Sequence, residues 1–177
     1  MGAARTAYIG LGSNQGDRIR FIAEAVRRVE DLPGTRVLAI SSLFETAPVK
    51  VRGGHFINAV IAVSTGMEPL GLLEGLMRTE TEMGRKREKS GPDPRNIDLD
   101  LLLYEDQVIR EKELIIPHPG ILERRFVLEP LAEIAPDLRI PLADGTLSEP
   151  VSTLKERCRD QQVSKIGPLK DLPEPGF

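Results

Sequence analysis

Cysteine and aromatic residues are scarce in this chain: one Cys, no Trp, five Phe and two Tyr among 177 residues. The lone cysteine, Cys158, excludes an internal disulfide, and its place in a charged C-terminal segment that reads as helix gives it no nucleophile context. Long apolar runs are also missing. The first, Ala7-Tyr8-Ile9-Gly10-Leu11-Gly12, is far too short for a signal peptide or a membrane span, and none that follows is longer. A cytoplasmic protein is therefore expected. No internal repeat is visible, and a formal net charge of -3 argues against a general nucleic-acid binder. The apolar share of 40% and charged share of 29% belong to a globular domain long enough for one core.

Charge is concentrated where the sequence is most informative. Arg95-Asn96-Ile97-Asp98-Leu99-Asp100 runs into Leu101-Leu102-Leu103-Tyr104, which sets two carboxylates two residues apart at the head of an apolar strand. Side chains alternate along a strand, so Asp98 and Asp100 share one face while Leu99, Leu101 and Leu103 are expected to bury on the other. Two such carboxylates repel each other unless a cation sits between them, and hard oxygen ligands beside an arginine suit magnesium carrying phosphate. Immediately upstream, Gly84 to Arg95 packs five cations against two anions. In a chain of net negative charge, this cluster suits a small anion.

The order of elements follows from periodicity. Residues 5 to 11 read as a strand, and Ile19, Ile22, Val26 and Val29 recur at helical spacing from Asp17 until Leu32-Pro33-Gly34. Residues 36 to 46 and 56 to 65 read as strands, and Pro69 opens a helix that ends at Gly84. The aspartate strand comes next and turns at Glu105-Asp106 into a short partner, Gln107 to Arg110. This is the ferredoxin-like βαββαβ plait, an α+β fold with a mainly antiparallel sheet. A C-terminal helical extension is expected over 120 to 135, broken at Pro130, and over 148 to 158. One domain is expected over 1–160, with a Pro-rich tail over 161–177. Gly10, Gly12 and Gly16 miss the dinucleotide-binding spacing by one residue, which disfavours a dehydrogenase. They read as a tight turn, with Asn14 or Asp17 capping the first helix.

Several separated motifs, in order from about residue 6 to about residue 140, resemble the 6-hydroxymethyl-7,8-dihydropterin pyrophosphokinase family of folate biosynthesis. They are Ala7 to Asn14, Thr46-Ala47-Pro48-Val49, Phe56-Ile57-Asn58-Ala59-Val60, Gly84-Arg85, Pro94 to Asp100 and Ile116-Pro117-His118-Pro119. The resemblance implies transfer of a diphosphoryl group from ATP to the hydroxymethyl group of the pterin, releasing AMP, with a pair of magnesium ions held by Asp98 and Asp100. Arg85, Arg87 and Arg95 are expected to close over the triphosphate, with Arg85 and Arg95 counted with the acid pair as catalytic. For the pterin, the resemblance points to Phe56 and Phe126 as stacking faces and Asn58 as reader of the ring edge. Thr46, Pro48, Val49 and Asp98 complete that pocket. Leu73, Met77, Glu80, Leu101 and Ile115 fall where the family lines the ATP site, joined by His118 and by Arg124, with Arg125 as a solvent-facing neighbour. Pro92 and Pro119 stand where many members carry tryptophan and tyrosine. Small-molecule substrates are the expected partners, with neither nucleic acid nor membrane, and a monomer is expected. The alternative is a non-catalytic ferredoxin-like module that binds a small molecule, which would need neither the acid pair nor the arginine loop.

Overall fold

A computed structural model describes residues 2–47, 54–84 and 96–170. In chain order the first half comprises β1 (Arg5–Ser13), α1 (Arg18–Glu30), β2 (Thr35–Ile40), β3 (Leu43–Thr46), β4 (Phe56–Thr65), α2 (Pro69–Glu82) and β5 (Asp98–Tyr104). These form one sheet in the order β3-β4-β1-β5, with β2 also on β4 and every neighbour antiparallel. The expected βαββαβ plait is therefore present. α1 starts where Asp17, rather than Asn14, accepts the Arg20 amide at 3.2 Å, and it buries Ile22, Ala25, Val26 and Val29. α2 opens on Pro69 and buries Leu72 and Leu76. With Ile9, Leu11, Ile61, Leu99 and Leu101, these side chains make the core on one face of the sheet. Burying each such aliphatic side chain contributes roughly 1.5–3 kcal/mol.

Three readings of this half need correction. The strand expected over 36 to 46 is two strands, because Ser41 accepts the Val60 amide through its hydroxyl at 2.9 Å and the Ser42 amide turns away to Glu133 at 2.6 Å. β5 carries a bulge: Ile9 pairs with Leu101 but Tyr8 with Leu103, so strict alternation fails. Leu103 consequently joins Leu102 in a second core on the opposite face from Leu99 and Leu101. Gly10 and Gly12 lie within β1 and make no turn, which falls at Gly16.

The second half covers that opposite face. β6 (Ile109–Arg110) pairs with β7 (Ile115–Ile116), not with β5 as expected. A 3-10 turn at Ile121–Glu123 leads into α3 (Arg125–Ile134), which contains Pro130 without breaking and forgoes one internal hydrogen bond there. β8 (Arg139–Pro141) and β9 (Leu147–Pro150) form a hairpin, and the helical stretch after it is short, with α4 (Val151–Leu154) running into a 3-10 turn at Lys155–Cys158. Leu128, Leu131, Ile140, Val151 and Leu154 bury against Val60, Leu102 and Leu103. Part of the stretch expected as tail, β10 (Val163–Gly167), pairs with β3 as an edge strand of the main sheet.

Candidate active site

Paired residues on neighbouring antiparallel strands share a face, so the register of β4, β1 and β5 lays out two rows. One row is Asn58, Gly12 and Asp98, and the next is Val60, Gly10 and Asp100. The glycines leave the middle of both rows bare, with an amide at one end and the acid pair at the other. A Cβ on Gly12 would stand 3.1 Å from Asn58 Oδ1 and 3.7 Å from the Phe56 ring. Asn58 is buried and donates from Nδ2 to Thr46 Oγ1 at 3.0 Å. Its carbonyl oxygen faces Gly12. That leaves an acceptor and a second amide hydrogen with which to read a heterocycle's edge.

This floor is roofed by the start of α3, and the cavity between them holds about 770 Å³. Thr46, Phe56, Asn58, Asp98, Asp100, Arg124 and Phe126 all line it. Phe56 and Phe126 are half-buried, as rings facing a cavity should be. The Arg124 guanidinium lies 5.9 Å from the centroid of the Phe126 ring, a cation–π arrangement that ties the cation to the aromatic wall. Beyond the acid pair stands His118, with Nε2 3.9 Å from Asp100 Oδ1 and its amide donating to the Leu102 carbonyl at 2.9 Å. Among the described residues no group of three or more His, Cys, Asp and Glu could hold a metal alone. Two carboxylates sharing a face and lining one cavity fit a magnesium ion that completes its shell from water and substrate phosphate.

The protein-family model described as 7,8-dihydro-6-hydroxymethylpterin-pyrophosphokinase matches residues 8–136. The chain belongs to this family. A pyrophosphokinase of Methylorubrum extorquens with the folate-pathway name 2-amino-4-hydroxy-6-hydroxymethyldihydropteridine pyrophosphokinase is 45% identical over 135 residues, 76% of this chain and 85% of the relative. The Aquifex aeolicus protein of the same name is 41% identical over 157 residues, 86% and 96% of the two chains. Among solved structures, a wild-type HPPK-DHPS chain of Plasmodium falciparum superposes with a TM-score of 0.70 at 15% identity. It shares the fold over 89% of this chain, which spans 45% of that longer one. The activity is that of a pyrophosphokinase in folate biosynthesis, with ATP as co-substrate. No helix among the described residues is long and apolar enough to cross a membrane.

Within this pyrophosphokinase fold, the residues expected around ATP are dispersed. Leu101 is buried in the α1/α2 core, and Leu73 packs against that core, so both have a packing explanation. Met77 and Ile115 are exposed, at 37% and 49%. Glu80 is buried, and its Oε1 accepts the Leu99 amide at 2.8 Å, gripping the backbone between the two aspartates. None of these five lines the cavity, nor does His118. Pro48, Val49, Arg85, Arg87 and Arg95 lie outside the described residues, as do Pro92 and Pro94. Arg125 is not solvent-facing: its guanidinium is held by Glu129 at 3.0 Å and by the Gln161 carbonyl at 2.8 Å. Sequence reasoning missed Gly10 and Gly12 as floor residues, and also Glu123, Gln161, Gln162 and Val163 on the rim. The glycines were findable, since they alternate along β1 with the period of the acid pair. Nothing in the sequence signals the C-terminal contributors.

Proposed function

We propose that this cavity binds 6-hydroxymethyl-7,8-dihydropterin between Phe56 and Phe126, with Asn58 on the ring edge and Thr46 behind it. The observation that carries the reading is the convergence of an aromatic pair, a buried amide and an acid pair on one glycine floor. The alcohol oxygen would bond to the β-phosphorus of ATP, and the bond to the oxygen that leaves with AMP would break. Asp98 and Asp100 would hold a magnesium pair beside those reacting groups. When bound, magnesium would screen phosphate charge and acidify the hydroxyl. Arg124 supplies a cation at the rim, and His118 a polar contact next to Asp100. Arg85, Arg87 and Arg95 are assigned to the triphosphate by the family motif. A monomer is the proposed working unit. A cytoplasmic location fits small-molecule substrates.

Binding measurements test the pocket. With a non-hydrolysable ATP analogue and magnesium present, Phe56→Ala and Phe126→Ala should each weaken pterin binding by roughly 1–3 kcal/mol, borrowing the range for a base stacked on an aromatic ring. Affinity for the analogue itself should hardly change. Unchanged pterin affinity with a lowered melting temperature would make both rings core residues. Gly12→Ala offers a separate check, because its methyl group would press on Asn58 Oδ1 at 3.1 Å. Calorimetric titration should show weaker pterin binding in this variant, while wild-type affinity would mean that the floor is not the pterin surface.

A further inference from the structure

We infer that Gln161 is a positioning residue for the transfer site, locking the Arg124–Phe126 wall to the Thr46 wall; the inference rests on the pocket assignment above. Gln161 lies outside the stretch matched by the family model. Arg124 occupies the N-cap of α3, yet its side chain makes no capping bond. Gln161 supplies the cap from a distance in sequence. Its Oε1 accepts the Arg125 amide at 3.0 Å, and its Nε2 donates to the Glu123 carbonyl at 2.7 Å. A single side-chain amide thus grips the backbone on both sides of Arg124. Arg125 returns the contact by donating to the Gln161 and Arg159 carbonyls at 2.8 and 3.3 Å.

Two residues further on, the chain reaches the other wall. Val163 pairs with Thr46, the residue that holds the Asn58 amide. Lys165 then reaches back to Glu133 of α3 at 3.1 Å, and Glu133 also accepts the Ser42 amide just before β3. Burial would raise the Glu133 pKa, but the hydrogen bonds from Ser42 and Lys165 outweigh it and hold the carboxyl below its usual value. Residues 161–165 are therefore a strap across the cavity mouth, fixed to α3 at both ends and to β3 between them. Without the Gln161 amide, the backbone on both sides of Arg124 would lose its direct tie to the strap, leaving the Arg125 guanidinium on the Gln161 and Arg159 carbonyls and the apolar underside of α3. Two stacking rings grip a flat ligand only if their separation is fixed, so loosening one wall should lower affinity.

The test measures dissociation constants for 6-hydroxymethyl-7,8-dihydropterin, with the ATP analogue and magnesium present, beside the melting temperature of each variant. Gln161→Ala should raise the constant about fivefold, the equivalent of a lost helix cap. Gln161→Glu keeps only the acceptor for the Arg125 amide and turns a carboxylate oxygen toward the Glu123 carbonyl, so it should recover no more than part of the alanine loss. Full recovery would make the bond to Glu123 irrelevant and overturn the two-sided grip. In Phe126→Ala, adding Gln161→Ala should cost little more, because Gln161 acts through that wall. Should the alanine variant fail to fold, Gln161→Met removes both hydrogen bonds while keeping the bulk, and is read in its place. A lowered melting temperature with wild-type affinity, or losses that simply add in the double variant, would overturn the inference. If Phe126→Ala itself leaves affinity unchanged, the pocket assignment falls and takes this inference with it.

Discussion

Asp98→Ala or Asp100→Ala is expected to cut turnover by at least about 10²-fold, the scale seen when one preorganised electrostatic contact to a transition state is removed. Each change takes one oxygen-ligand side chain from the face where β5 meets the glycine floor. Neither carboxylate is needed to fill the core. Both are only partly buried and stand over Gly12 and Gly10, so the fold should survive either change, with far less effect on the melting temperature than on turnover. Steady-state rates with saturating ATP, pterin and magnesium, together with thermal melts, would decide this. Either variant keeping more than about a tenth of the wild-type rate would remove the acid pair from the metal role.

Arg95→Ala is the second large effect expected. Arg95 lies outside the described residues, and its assignment comes from its place three residues before Asp98 in the family motif. Transfer between ATP and an alcohol spreads charge over phosphoryl oxygens, so a guanidinium matched to that charge acts mainly on the barrier. kcat should fall by about 10³-fold, as for arginines that stabilise phosphoryl transfer elsewhere, while the pterin dissociation constant changes only modestly. Unchanged kcat with weakened pterin binding would place Arg95 in the pterin pocket instead.

The path from sequence to site was legible where a short-range pattern decided the outcome. The acid pair could be placed on one strand face from its two-residue spacing, and α1 and α2 from their apolar stripes and the Asp17 and Pro69 starts. Alternation failed at Leu103, because a bulge depends on which residues of β1 it faces, and pairing partners are not encoded locally. The break at Ser41 and Ser42 likewise depends on Val60 and Glu133, the second of them 91 residues away. β10 read as tail because Val163–Gly167 is short and mostly exposed and gains its order only by pairing with Thr46 and its neighbours. Gln161 was invisible for the same reason. A glutamine becomes a helix cap only when the fold brings it to the helix.

Product analysis tests the central claim most directly. The protein is incubated with ATP, magnesium and 6-hydroxymethyl-7,8-dihydropterin, and the nucleotide products are separated. AMP should appear in step with a pterin carrying a diphosphoryl group, and omission of either the pterin or magnesium should abolish it. Formation of ADP, or ATP consumption that ignores the pterin, would contradict diphosphoryl transfer at this site.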